Sequence, residues 1–406
     1  MVVLFVVGLT AVVVSLGVRN STWAKERRLK TLVVEDLALS IHDDPNDSLT
    51  FLYYGSALLK ANDLPDSEKA FERATQLDPK MARAFLGLGS VQFRRGELAA
   101  AEKTFDTALK LDQKSTDGYL GLAQVYYQEG RVAHAAVPLQ KIVALEPKNA
   151  MAWYFLGKMY GDAHESDKAL DALQKATQYD PKQGSFWRDL GQLERHYSRN
   201  DEAEKALKTA LHYSPNDPIA FLWLGQLYLQ MGDTPKLRGQ AEQCFLSAIA
   251  RDPKMQEADL GLGQLYQRSG NYSAAVTYFR KAFELDNSDS KALLSEGQCL
   301  VQLGQVAEGK KMIAGAQALE TAKRDIDYMQ KRILAEPKAR ELRLRMARLY
   351  RKYENYTESI QQYQAYQRLG PLDPAVEKEL NEYGMSLQKQ GLLPGNGPPP
   401  APTGSQ

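Results

Sequence analysis

The feature that leaves this chain least freedom is a phrase that returns every 34 residues: Leu77-Asp78-Pro79, Leu111-Asp112, Leu145-Glu146-Pro147, Tyr179-Asp180-Pro181 and Tyr213-Ser214-Pro215. A second phrase, leucine followed by glycine, keeps step with it at Leu88-Gly89, Leu156-Gly157, Leu190-Gly191, Leu224-Gly225 and Leu262-Gly263. A period of this length marks a stack of like units, each burying its apolar face on the next. Counted from these phrases, repeats start near Ser48, Ala82, Thr116, Ala150, Gly184, Pro218, Gln256, Ser290 and Arg340. Large residues recur at helical spacing, and small Gly and Ala let two antiparallel helices approach. A later glycine (Gly96, Gly130, Gly232, Gly270, Gly304) is expected to end the first helix in a left-handed cap. The proline then stops the second helix.

This pattern resembles the tetratricopeptide repeat family, with its aromatic, Leu-Gly, Tyr, turn Gly, Ala, aromatic, Ala and Pro. Repeat four has Trp153, Leu156, Gly157, Tyr160, Ala169, Leu173, Ala176 and Pro181 in those places. Repeat seven has Leu262, Gly263, Tyr266, Gly270, Ala275, Phe279 and Ala282, with Asn287 replacing the proline. The resemblance spans roughly residues 46–373 and implies an all-α, right-handed superhelical solenoid of antiparallel helix pairs. About eight repeats fill residues 48–323. Repeat six carries four extra residues around Thr234 to Gly239, expected to lengthen the turn between its helices. Residues 324–390 hold the rest: a segment, Thr321 to Glu336, that reads as an additional helix out of phase, then a degenerate ninth repeat (Met346, Ala347, Tyr350, Ser359, Tyr363, Tyr366, Pro371) and a polar capping helix from Ala375 to Gln390.

The ends read differently. Val2 to Val18 is uncharged, and Arg19, Lys25, Arg27, Arg28 and Lys30 follow it. Seventeen residues at about 1.5 Å each reach roughly 25 Å, so residues 1–20 are expected to form one transmembrane helix, with 21–47 as a helical stalk. The basic flank would place the solenoid in the cytoplasm, or outside it if the N-terminus is incomplete, making this a single-pass membrane protein. Residues 391–406, with Pro398 to Pro400, are expected to be a disordered tail.

Lys plus Arg (51) nearly cancels Asp plus Glu (50), so no global field draws the chain to nucleic acid. Cys244 and Cys299 form no C-x-x-C motif and read as core residues. His42, His134, His164, His196 and His212 include no pair at the i, i+4 spacing of a helical metal site. There is no phosphate loop, nucleophile elbow or dinucleotide fingerprint. The expectation is therefore no metal, no cofactor and no enzyme.

What remains is a binding surface. In the family the first helices line a concave groove, and the second, fifth, ninth, twelfth and thirteenth repeat positions face it. Carried onto this chain, the fifth position is Leu52, Leu86, Leu120, Leu222, Leu260, Leu294 and Leu344, with Tyr154 and Arg188 in the other two repeats. The ninth is Gln124, Gln192, Gln226, Gln264 and Gln298, with Ser56, Ser90, Lys158 and Arg348 elsewhere. Glutamines carry donors and acceptors that can pair with an extended peptide backbone, and the leucines can accept apolar side chains. Alternatively, the leucines only tuck against the next repeat and the glutamines are solvated. The Lys and Asn of the family's carboxylate clamp are replaced at these positions, so that clamp is not expected. Arg188, Arg195 and His196, near Lys158, form the one basic part of the groove, suited to an acidic segment. A second basic surface, Arg340, Arg343, Arg345, Arg348, Arg351 and Lys352, reads as solubility, with anionic lipid or nucleic acid as the alternative. The function expected is a scaffold holding other proteins or peptides. A substrate-presenting accessory subunit and a self-associating assembly factor are the alternatives.

Overall fold

In the computed structural model, residues 22–353 and 355–389 are described. They form 21 α-helices, and no strand occurs among them. The chain divides into two compact units, residues 1–215 and 216–406. The first contains two short helices, Thr22–Leu29 and Val34–Asp43, followed by five helix pairs. The second contains four pairs and the terminal helix Pro374–Lys389.

Local chemistry sets the boundaries of each pair. First helices start at Ser48, Ala82, Thr116, Ala150, Gly184, Pro218, Gln256, Ser290 and Arg340. Several are capped by the residue before: Asp47, Ser115, Asn149, Asp217 and Asp289 each accept a hydrogen bond from a backbone N–H of the first turn. The aspartate of the recurring Leu-Asp-Pro phrase closes the preceding turn. Asp78, Asp112, Asp180 and Asp252 each accept from the backbone N–H two residues on, at 3.0 to 3.3 Å. Between paired helices the chain passes through the left-handed region at Gly96, Gly130, Gly270 and Gly304. Asn62, His164 and Ser198 adopt the same conformation in the repeats that lack the glycine. Gly232 differs from the left-handed cap expected for it, with φ 150° and ψ −171°.

The core depends on a fit between glycines and rings. Phe71 and Phe105, on the second helices of repeats one and two, are fully buried. Each ring lies between a glycine of its own repeat and a glycine of the next. A Cβ on Gly55 or Gly87 would meet the Phe71 ring at 3.1 or 2.2 Å, and one on Gly89 or Gly121 would meet Phe105 at 2.8 or 2.5 Å. In the second unit Phe245 sits likewise between Gly225 and Gly261. Where the second helix carries the smaller Leu139 or Leu173 instead, the next first helix carries a larger residue, Phe155 or Asp189.

Two departures from the repeat resolve in unexpected ways. The four extra residues of repeat six do not lengthen a turn. Its first helix, Pro218–Met231, has 14 residues where most have 13, and its second, Pro235–Arg251, has 17 where most have 14. Pro235 at the start of the helix, with Thr234 accepting from the Leu237 N–H, favours nucleating one turn earlier over looping out. The additional helix expected from Thr321 is the continuation of the second helix of repeat eight, and the two form one helix of 30 residues, Val306–Ala335. Nothing between Ala316 and Ala322 breaks a helix, so none ends there. Residues 22–43, assigned to a stalk, are two helices packed on repeat one, with Leu29 and Leu37 buried beside Tyr53.

The assignment to a membrane is corrected. Among the described residues no helix is long and apolar enough to cross one. Repeat helices are 13 to 17 residues long, and the 30-residue helix is charged throughout its length, with Lys310, Lys311, Arg324 and Asp325 among others. The run Val2 to Val18 and the tail 391–406 lie outside the described residues.

The ring and glycine fit makes opposite predictions for two helical glycines. Gly161 has nothing within 4 Å of a new Cβ, so Gly161→Ala should stabilise by about 0.5–1 kcal/mol. Gly87→Ala gains the same propensity but drives a methyl into Phe71, an overpacking cost of about 1–3 kcal/mol that should prevail. Urea unfolding of the two variants checks both signs.

Candidate functional site

Exposure separates the two rows of predicted groove residues. Gln124, Gln192, Gln264 and Gln298 are exposed and Gln226 is half-buried. Leu86, Leu120, Leu260 and Leu294 are half-buried, while Leu52, Leu222 and Leu344, 3%, 6% and 4% exposed, are buried. The leucine row therefore mixes two roles that its sequence does not separate.

Repeats one to three bring their share of these residues together. A cavity of about 340 Å³ is lined by the fifth-position Leu52, Leu86 and Leu120 and the ninth-position Ser56, Ser90 and Gln124. Its floor is Gly87 and Gly121 over the edges of Phe71 and Phe105, and Arg83 and Asp117 complete it. The Phe71 and Phe105 rings occupy the space that a Cβ on Gly87 or Gly121 would need. Ser56 and Ser90 donate their hydroxyl hydrogens to Leu52 O and Leu86 O at 2.8 Å, so their oxygens are left as acceptors. Arg83 donates to Glu26 at 3.0 Å and to the Tyr53 hydroxyl at 2.9 Å. Both Arg83 and Asp117 stand at second positions, a row the family pattern names. Reading that row would have found them.

Repeats four and five present a different surface. Asp189, at the sixth position, is buried and organises the basic patch. It accepts from the Tyr154 hydroxyl at 2.7 Å, from Arg188 Nε at 2.9 Å and from Lys158 Nζ at 3.5 Å. Burial first, then the bond to Asp189, pushes the Tyr154 hydroxyl well above its ordinary range. Lys158, Gln192, Arg195 and His196 line a second cavity of about 250 Å³, together with Asp189 and Asp162. The patch is thus mixed in charge rather than basic. Asp189 went unnoticed in sequence because its position carries no family signal.

The basic surface of repeat nine is largely used within the protein. Arg348 and Arg351 pair with Glu379 of the terminal helix at 2.7 and 3.5 Å, and the Tyr363 hydroxyl donates to the same carboxylate at 2.6 Å. Arg340 stacks on Tyr366 and donates to Tyr366 O at 3.2 Å and Gly370 O at 3.1 Å. Arg343 donates to Pro337 O, six residues earlier, as Trp153 does to Pro147 O and Trp187 to Pro181 O. It takes the aromatic's place at the repeat entry. These partners fix four of the six basic side chains to structure, which neither reading from sequence anticipated.

Comparison with known proteins agrees with this architecture. The family model of the cilia and flagella-associated protein 70 C-terminal domain, a tetratricopeptide repeat domain, matches residues 37–258, more than half of the chain. A tetratricopeptide repeat model matches residues 260–289. The chain belongs to the tetratricopeptide repeat family. Among similar solved structures, the Cut9-Hcn1 hetero-tetramer of the APC/C shares 24% identity over 59% of this chain and 46% of that one, with a TM-score of 0.48. This chain thus spans less than half the length of that relative. Pseudomonas aeruginosa pilF shares 19% over 54% of this chain and 97% of its own, with a TM-score of 0.47. YrrB, described as a protein with an unusual peptide-binding site, shares 21% over 46% and 97%, with a TM-score of 0.39. No curated protein matches the chain. A tetratricopeptide scaffold of this kind is suited to protein–protein interaction.

The terminal helix gives a pH prediction. Burial acts to raise the Glu379 carboxyl, but hydrogen bonds from Arg348 and Tyr363 and the charges of Arg348 and Arg351 outweigh it and hold the group below its ordinary value of 4.5. The stabilisation is therefore complete above that value and is lost as pH falls through the lower folded value. Hydrogen exchange of residues 374–389, corrected for intrinsic rates, should accelerate below about pH 4.5 in the wild type. In Glu379→Gln it should be faster at neutral pH and lose the step.

Proposed function

We propose that this tetratricopeptide protein is a non-catalytic scaffold that holds partner proteins by extended segments laid along the inner face of its repeats, with repeats one to three as the principal seat. The cavity there carries the reading. It gathers fifth- and ninth-position side chains of three successive repeats around an apolar floor with hydrogen-bonding groups at the rim. An extended peptide makes no internal hydrogen bonds with its backbone N–H and C=O groups, and exposed Gln124 with the Ser56 and Ser90 oxygens supplies partners of both kinds. Between repeats four and five the equivalent space holds the Asp189 network, which favours a polar continuation of the same segment.

The test is site-specific photo-crosslinking in cells, with benzoylphenylalanine replacing Leu120 in one version of the full chain and Lys141 of a second helix in another. The account expects a discrete partner at position 120, reduced at least about tenfold by Leu86→Glu in the same chain. A partner captured at 141 and insensitive to Leu86→Glu would move the binding surface to the second helices. Leu222→Glu is no substitute for Leu86→Glu. It puts a carboxylate in the core and should cost about 3 kcal/mol or more of stability.

A further inference from the structure

The cavity over repeats one to three is a single volume that spans three first helices and so offers two intervals, or cups, along its length. The first lies between Leu52 and Leu86 above Phe71 and Gly87, and the second between Leu86 and Leu120 above Phe105 and Gly121. Both have the same construction because both repeats combine a phenylalanine on the second helix with a glycine at the sixth position of the next. The first helices of repeats one, two and three touch in sequence. Packed helices are spaced about 8–10 Å apart, so the cup centres are separated by about that distance. A polyproline II segment advances about 3.1 Å per residue, which brings side chains three residues apart to roughly 9 Å. In a fully extended strand, residues two apart on one face span only about 7 Å.

Charge fixes the direction. Arg83 stands on the cavity wall in repeat two and Asp117 stands one repeat on, both exposed. A segment in the cups meets a cation beside the first and a carboxylate beside the second.

We infer, building on the reading above, that these repeats select an extended segment with two apolar side chains three residues apart, an acidic residue on the repeat-two side and a basic residue on the repeat-three side. The selectivity resides in Leu86, which both intervals share, and in Arg83 and Asp117, which set the polarity. Arg83 is already shared with Glu26 and Tyr53, so Asp117 is the cleaner probe of charge.

The experiment uses the full chain and fluorescein-labelled synthetic peptides. The reference is acetyl-Gly-Glu-Leu-Ser-Ser-Leu-Lys-Gly-amide. Variants carry one or three serines between the leucines, or Glu and Lys exchanged. Fluorescence anisotropy should rank the reference first, by at least about fivefold over either spacing variant and over the exchanged peptide. Leu86→Glu, on the half-buried leucine that both intervals share, should weaken reference binding about tenfold with helicity retained. Asp117→Lys, at an exposed helix start, should favour a peptide carrying Glu in place of Lys. Peptides that bind without regard to spacing, or an Asp117→Lys chain with unchanged preference, overturn the inference while leaving the groove as the working surface. Absence of binding by every peptide also overturns it. The broader reading fails separately, if crosslinking at Leu120 captures nothing.

Discussion

The close approach of glycine to a buried ring is the contact on which the rest depends. A second helix presents Phe71, Phe105 or Phe245, and two first helices close on it from either side with no Cβ between. This brings helix axes near enough for the leucines around them to be buried, and it sets the relation of one repeat to the next. The same contact lies under the cavity of repeats one to three. Gly87 and Gly121 lie at the floor of the cavity of repeats one to three, while Asp189, at the same repeat position beside Leu173, lines the more polar cavity of repeats four and five. The sixth position of each repeat thus sets how a second helix packs on the next first helix.

Where the position is acidic, a second device appears. Asp189 reaches Lys158 of the preceding first helix, and Glu379 of the terminal helix reaches Arg348 of the first helix before it; both pairs are 31 residues apart. The two carboxylates occupy equivalent places against ninth-position cations. At Asp189 the result is a polar stretch of inner face, and at Glu379 it is a lock that closes the end of the second unit. A related set of tyrosines ties first helices to the second helices before them, as Tyr160 accepts from Gln140 at 2.8 Å and Tyr350 from Gln330 at 3.2 Å. These polar ties are partly exposed and worth little singly. Their value lies in fixing orientation between repeats.

Much of this was legible in sequence, and the remainder for definable reasons was not. The 34-residue period, the helix starts and the turn glycines follow from backbone chemistry that one residue type satisfies at each place. The extra residues of repeat six were misread because an insertion is neutral between loop and helix until Pro235 and Thr234 are recognised as a start signal. The long helix Val306–Ala335 was split because the repeat period ends there while helix propensity does not. Leu222 and Leu120 are alike in sequence and differ in burial because their neighbours differ. The membrane assignment rested on residues outside those described, and no described helix supports it. Asp189, Glu379 and the pairing of phenylalanine with glycine are relations between repeats, visible only when residues 16 or 31 apart are compared.

The central claim is that Leu86 and Leu120 face an open cavity while Leu222, at the same repeat position, does not. Methyl-resolved NMR of the selectively labelled chain in the presence of a neutral nitroxide in solvent measures this directly. The account predicts strong relaxation enhancement at the Leu86 and Leu120 methyls and little at Leu222. Equal enhancement at all three, or protection of Leu86 and Leu120, would contradict it.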